Sequence, residues 1–135
     1  MTPLSKWMRW TLLATTVYNA FGVLLFIPLL SLGRELVGLP GAHPFYLWLV
    51  TIWIGSFGVL YLWVAVIGRS DPAFLIIAAV GKFSFFSLMF IFWLAGDFPG
   101  TAPLVATGDL ITAILFTAWL WKTRRSFCGP LRDSN

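Results

Sequence analysis

PAFLIIAAVGKFSFFSLMFIFWL, residues 72–94, decides how this chain folds. It exceeds the roughly 20 predominantly apolar residues that a membrane-crossing helix needs. Yet it carries one charge, Lys82, near its middle. The stretch PLVATGDLITAILFTAWLW, residues 103–121, repeats the pattern with Asp109. A charge at the bilayer centre costs at least ~2.5–3.5 kcal/mol on insertion scales, so such residues persist where they are paired or functional. Opposite charges in adjacent apolar segments predict an all-α membrane protein with a buried Lys82–Asp109 ion pair.

Two further stretches qualify as spans, about 10–30 and 44–67. With the two already quoted, they make a four-helix transmembrane bundle in one domain of 135 residues. Pro44, Pro72 and Pro103 stand where a helix starts, a position at which a missing N–H costs nothing. Pro28 falls near the end of the first span. The connections are short and full of breakers: Gly33 to His43, the tight turn Gly68-Arg69-Ser70-Asp71, and Gly96 to Thr101. The composition agrees, with 59% hydrophobic and 10% charged residues, against about 25% charged in a soluble domain. Lys6 and Arg9 imitate the start of a signal peptide. The uncharged run that follows, 10–33, exceeds the usual apolar region of about 7–15 residues, so a retained helix is expected.

The basic residues set the orientation. With both termini on one side, that side holds Lys6, Arg9, Arg69, Lys122, Arg124, Arg125 and Arg132, and the other holds Arg34 alone. The positive-inside rule then makes both termini cytoplasmic, with a basic tail over 122–135. Trp7, Trp10, Trp63, Trp119 and Trp121 are expected in the cytoplasmic aromatic belt, Trp48 and Trp93 in the opposite one. The charge of +4 thus reports topology, and no nucleic-acid partner is expected.

Small and polar residues fall on one stripe of each helix. Thr15, Asn19 and Gly22 share a face, as do Thr51, Gly55 and Gly58; Ala78 and Ala79 lie one turn from Lys82, and Asp109, Thr112 and Ala113 share another face. Small residues let membrane helices approach closely, so Gly22, Gly55, Gly58, Ala78 and Gly81 are read as packing positions. At a rise of about 1.5 Å per residue, Asn19, Lys82 and Thr112 lie near the midplane, with Asp109 a turn further out. The predicted polar layer is Asn19, Lys82, Asp109 and Thr112, with Asn19 or Thr112 hydrogen-bonding to the pair. The pair either fixes the facing of two helices or lines a polar cavity for a proton or an anionic headgroup; separate snorkelling of each charge is the third reading.

No catalytic template fits. A Ser/His/Asp set at one depth, an HExxH and a glycine-rich phosphate loop are all missing. The single Cys128 rules out an intrachain disulfide and a zinc cluster. His43, the one histidine, reads as an interfacial residue rather than a metal ligand. No catalytic residue, metal or resident cofactor is therefore expected. Phe85, Phe86 and Met89 wall a candidate lipid, quinone or pigment contact between the second and third long helices.

Phe57-Gly58-Val59-Leu60-Tyr61, Gly81-Lys82, and Gly108-Asp109-Leu110 with Ala113 and Phe116 carry a family likeness. With four spans and cytoplasmic ends, the chain resembles the small four-helix membrane proteins of bacteria that include DoxX-like chains. The resemblance implies a compact bundle in the bacterial inner membrane, and it carries over no catalytic residue. The expected function is non-catalytic, through lateral helix contacts with lipid and other subunits or with further copies of itself. The alternative is a small transporter or channel that uses the Lys82–Asp109 pair.

Overall fold

The computed structural model describes residues 1–127, with side chains through Thr123. Among the described residues the secondary structure is helical apart from one minimal strand pair: α1 (Lys6–Phe26), α2 (Leu32–Val37), α3 (Pro44–Ile67), α4 (Pro72–Leu94) and α5 (Thr101–Phe127). The strands β1 (Thr2–Pro3) and β2 (Arg69–Ser70) pair antiparallel. Among the described residues three helices are long and apolar enough to cross a membrane: Pro44–Ile67, Pro72–Leu94 and Thr101–Thr123. The first long helix falls outside that set, because Lys6, Arg9, three threonines and Asn19 dilute its hydropathy.

The prolines act at helix starts. His43 Nδ1 accepts from the Phe45 amide at 3.2 Å and Pro44 opens α3. Asp71 Oδ1 likewise accepts from Ala73 N at 2.8 Å ahead of Pro72. Each cap occupies an otherwise orphaned amide of the first turn. His43 thus has a defined task as a helix cap.

Four differences from the sequence reading have local causes. The first helix covers Lys6–Phe26 rather than 10–30, since Pro28 cannot continue the backbone ladder and Ile27 caps it. The connection read as irregular over 33–43 contains most of α2, a six-residue helix closed by Gly38 at φ 72°. There the amides of Gly38 and Leu39 bond back to the Glu35 and Arg34 carbonyls, which needs the left-handed conformation glycine adopts freely. The last helix starts at Thr101, two residues before Pro103, and continues to Phe127 past Trp121. Basic residues suit a helix C-terminus, so Lys122 extends α5 instead of opening a tail. Trp119, expected in an aromatic belt, is 2% exposed and belongs to the core. Cys128 and Arg132 lie outside the described residues.

Neighbours run in the order α3, α1, α5, α4: α1 lies along α3, α4 along α5, and α1 touches α5. The ring is not closed between α3 and α4, whose backbones stay apart although they are consecutive. One end gathers the start of α1, the α3–α4 turn and the end of α5, marked by Lys122 Nζ at 5.8 Å from the Trp7 ring. Here β1 clips onto β2, and Arg9 Nε donates to the Ala65 carbonyl at 2.9 Å. At the far end, Thr101 donates its hydroxyl to the Val37 carbonyl. Arg34 Nη1 reaches the Phe26 and Ile27 carbonyls at 3.3 and 3.4 Å, satisfying the exit of α1.

The core is lopsided. Met8, Leu12, Tyr61, Ala65, Leu75, Ala78, Phe116 and Trp119 pack solidly in the half nearer the termini. Tyr61 organises this half, its ring 5.9 Å from Phe74 and 5.7 Å from Phe116. The outer surface is apolar, with Trp10, Phe21, Trp53, Val66, Ile77, Leu104 and Trp121 all exposed. Buried positions, by contrast, include Thr15, Asn19, Thr51, Lys82, Asp109 and Thr112. Apolar outside with polar inside suits a lipid solvent, since monomers in water rarely expose contiguous apolar patches of this extent.

Candidate functional site

α4 and α5 run side by side and antiparallel, which sets Lys82 opposite Asp109. Lys82 Nζ lies 2.5 Å from Asp109 Oδ1, and both residues are 7% exposed. Asn19 on α1 closes the group: its Oδ1 accepts from Lys82 Nζ at 3.0 Å, while its Nδ2 donates to the Ile54 carbonyl of α3 at 3.0 Å. Four helices therefore meet through three side chains and one carbonyl. Such a network binds the bundle at one depth, because a polar group left unpaired in a low dielectric is costly.

The sequence reading missed Tyr18. Its hydroxyl lies 2.6 Å from the Val105 carbonyl and 3.1 Å from Asp109 Oδ2, two acceptors for one proton. Lys82 Nζ also sits 5.2 Å from the centre of the Tyr18 ring and 5.7 Å from that of Tyr61, within cation–π range. Tyr18 lies on the same face as Thr15, Asn19 and Gly22, three residues after the first of them, but that stripe was drawn from small and short polar residues alone. The usable signal was the phenol itself: a tyrosine deep in an apolar segment needs a partner for its O–H. Gly108 was quoted only within the family likeness. A Cβ there would meet Tyr18 Cε2 at 2.5 Å, so its bare backbone admits the ring.

Thr112 does not join the network. Its hydroxyl donates to the Gly108 carbonyl of its own helix at 2.7 Å, the usual internal bond of a helical threonine. The packing positions also divide. Cβ atoms at Gly22 and Gly58 would lie 3.2 Å from Ile54 Cγ2 and 3.3 Å from Asn19 Cβ, so both glycines permit the close α1–α3 approach. Gly55 has only ordinary contact, with Val23 at 3.5 Å, and Ala78 lies in the core. Gly81 packs against nothing within 4 Å. Its reading as a contact position is corrected: it faces the unclosed side of the ring.

A cavity of about 500 Å³ begins at this polar cluster and extends toward the far end. Lys82, Asp109, Tyr18 and Asn19 form its floor; Trp53 and Phe57 of α3 and Phe85 of α4 stand on its walls. Met89 also lines it. Phe86, grouped with Phe85 and Met89 in the sequence reading, does not; it stacks on Phe90 at 5.9 Å between centroids. Toward the termini the way is filled by Tyr61, Leu75 and Phe116, each fully buried. A second, shallower groove runs along the outer face of α4 and α5. Its lining includes Ala79, Ala113, Thr117 and Ala118, with Val80, Phe83, Ile114 and Trp121 alongside. Among the described residues no group of three or more His, Cys, Asp or Glu side chains could hold a metal ion.

Comparison with protein-family models, curated proteins and solved structures returned no match, so the site is interpreted on its geometry.

Proposed function

We propose that this chain is a non-catalytic integral membrane protein of a bacterial inner membrane, spanning it four times with both termini cytoplasmic. It acts through lateral contacts, as a subunit of a larger membrane assembly or with copies of itself. The observation that carries this reading is the small-residue groove between α4 and α5. Ala79, Ala113, Thr117 and Ala118 leave room for another transmembrane helix, and such small-residue surfaces are where membrane helices approach one another. The polar cluster agrees: Lys82, Asp109 and Asn19 bond chiefly to each other and to Tyr18, tying helices together.

The fourth crossing is α1. Its 21 residues reach about 31 Å at about 1.5 Å per residue, enough for hydrocarbon about 30 Å thick. Its polar residues are accommodated: Thr11, Thr15 and Thr16 bond to their own helix, and Asn19 points inward. The resemblance to DoxX-like chains implies the same placement.

Ala118→Phe fills the groove at an exposed position, so it leaves the internal packing in place. Wild-type protein extracted in mild detergent should run as an oligomer or with a stoichiometric subunit, and Ala118→Phe should run as a monomer of unchanged helicity. A wild-type monomer in both detergent and nanodiscs would sink this reading. The transport alternative draws on the cavity that reaches the ion pair. It requires liposome flux that Asp109→Asn abolishes.

A further inference from the structure

We propose that the cavity between α3 and α4 is a binding site for an uncharged, carbonyl-bearing lipophile taken directly from the bilayer. The first support is its shape. A volume of about 500 Å³ falls within the roughly 300–1,000 Å³ typical of small-molecule sites. The neighbouring helices α3 and α4 leave the one unclosed seam of the ring, and Trp53, Ile77 and Leu88 beside it are exposed. Access is therefore sideways, from lipid.

Gly81 is the second support, and it is independent. A glycine inside a helix costs about 1 kcal/mol relative to alanine. Close packing usually explains one in a membrane helix, yet nothing lies within 4 Å of a Cβ built here. The missing side chain keeps space open at the cavity wall, one residue from the floor. Ser84, one turn further along α4, also lines the cavity.

The floor sets the class of ligand. An ammonium has three N–H donors. Lys82 directs two of them at Asp109 Oδ1 and Asn19 Oδ1, and no third acceptor stands among the described residues. The remaining donor suits an acceptor such as a carbonyl oxygen. An anionic head would bring its charge against the Asp109 carboxylate, already neutralised by Lys82, so an uncharged group fits better. Depth excludes ordinary phospholipid heads: Lys82 lies ten residues into α4, about 15 Å from the membrane surface at about 1.5 Å per residue. A phosphate group does not descend that far, whereas a neutral carbonyl on an apolar body does. The rings of Phe57, Phe85 and Tyr18 favour a body that is itself flat or aromatic.

A decyl-substituted benzophenone combines these properties: it is an uncharged aryl ketone that forms covalent bonds with neighbouring C–H groups under near-ultraviolet light. The full chain in nanodiscs should be labelled saturably, with adducts concentrated on residues 53–61 and 81–89. Gly81→Leu, which fills open space, should cut that labelling about tenfold while the protein stays monodisperse. Lys82→Met/Asp109→Leu should weaken it by a similar factor, the effect of one lost charged hydrogen bond. A phosphatidylcholine carrying benzophenone at its acyl end serves as the competing occupant. Adducts scattered over lipid-facing residues such as Val66 and Ile111, or equal labelling of the cavity by the phospholipid probe, would overturn the proposal. Should Gly81→Leu fail to fold, the adduct map of the wild type decides alone. Because the α4–α5 groove lies on another face, Ala118→Phe should leave labelling unchanged, which separates this test from that of lateral assembly.

Discussion

At the scale of single residues, the ion pair behaves as one unit. Lys82→Met leaves the Asp109 carboxylate buried beside Tyr18 with its cation gone; Asp109→Leu strands the ammonium against Asn19. Each single change should destabilise the bundle by about 3–5 kcal/mol, whereas Lys82→Met/Asp109→Leu together should come within about 1–2 kcal/mol of wild type. Thermal unfolding in detergent, run as a double-mutant cycle, checks this; additive losses would mean that the two charges act separately. Lys82, Asp109 and Asn19 were legible in the sequence because charge and amide are conspicuous in an apolar stretch and helical geometry gives their depth. Tyr18 was not, since tyrosine is unremarkable near membranes and only the Asp109 and Val105 distances reveal its task. Thr112 looked equally apt, but a threonine's nearest acceptor is the carbonyl one turn back.

Among the helices, what the sequence resolved and what it did not follow from range. Proline position and apolar length are local, so α3 and α4 carry the expected limits. The six-residue α2 buries nothing and rests on a glycine conformation, which hydropathy does not report. Helix adjacency is non-local: stripes of small residues name a face without saying which helix it meets. Gly108 illustrates the gap, as its role depends on a ring 90 positions earlier (108 − 18 = 90). Gly108→Ala should force the Tyr18 ring off α5, open the α1–α5 contact and cost about 1–3 kcal/mol, the usual penalty of overpacking. Gly108→Ala combined with Tyr18→Val should recover part of that loss. If alanine alone melts like wild type, the close approach is not structurally required.

For the whole molecule, the decisive property is the contrast between a filled half and a hollow one, with the polar cluster at their boundary. The sequence announced a helical membrane bundle through length and hydropathy. It did not announce the hollow, which arises because α3 and α4 are joined by a tight turn yet each packs on a different partner. Orientation can be read by thiol labelling in a Cys128→Ser background. Gly41→Cys should react with an impermeant maleimide on spheroplasts, and Arg69→Cys should react only after the membrane is opened; both positions are exposed. Reversed reactivity would invert the topology, and labelling of both from one side would remove α3, the helix between them, from the membrane. The strand clip has a consequence for biosynthesis. Thr2 and Pro3 pair with Arg69 and Ser70, so this strand has no docking place until the ribosome has made α1, α3 and the turn that follows. Its anchoring is a late event, and a translation-arrested chain ending before Arg69 would leave the Thr2–Pro3 strand open to a protease that the paired strand resists.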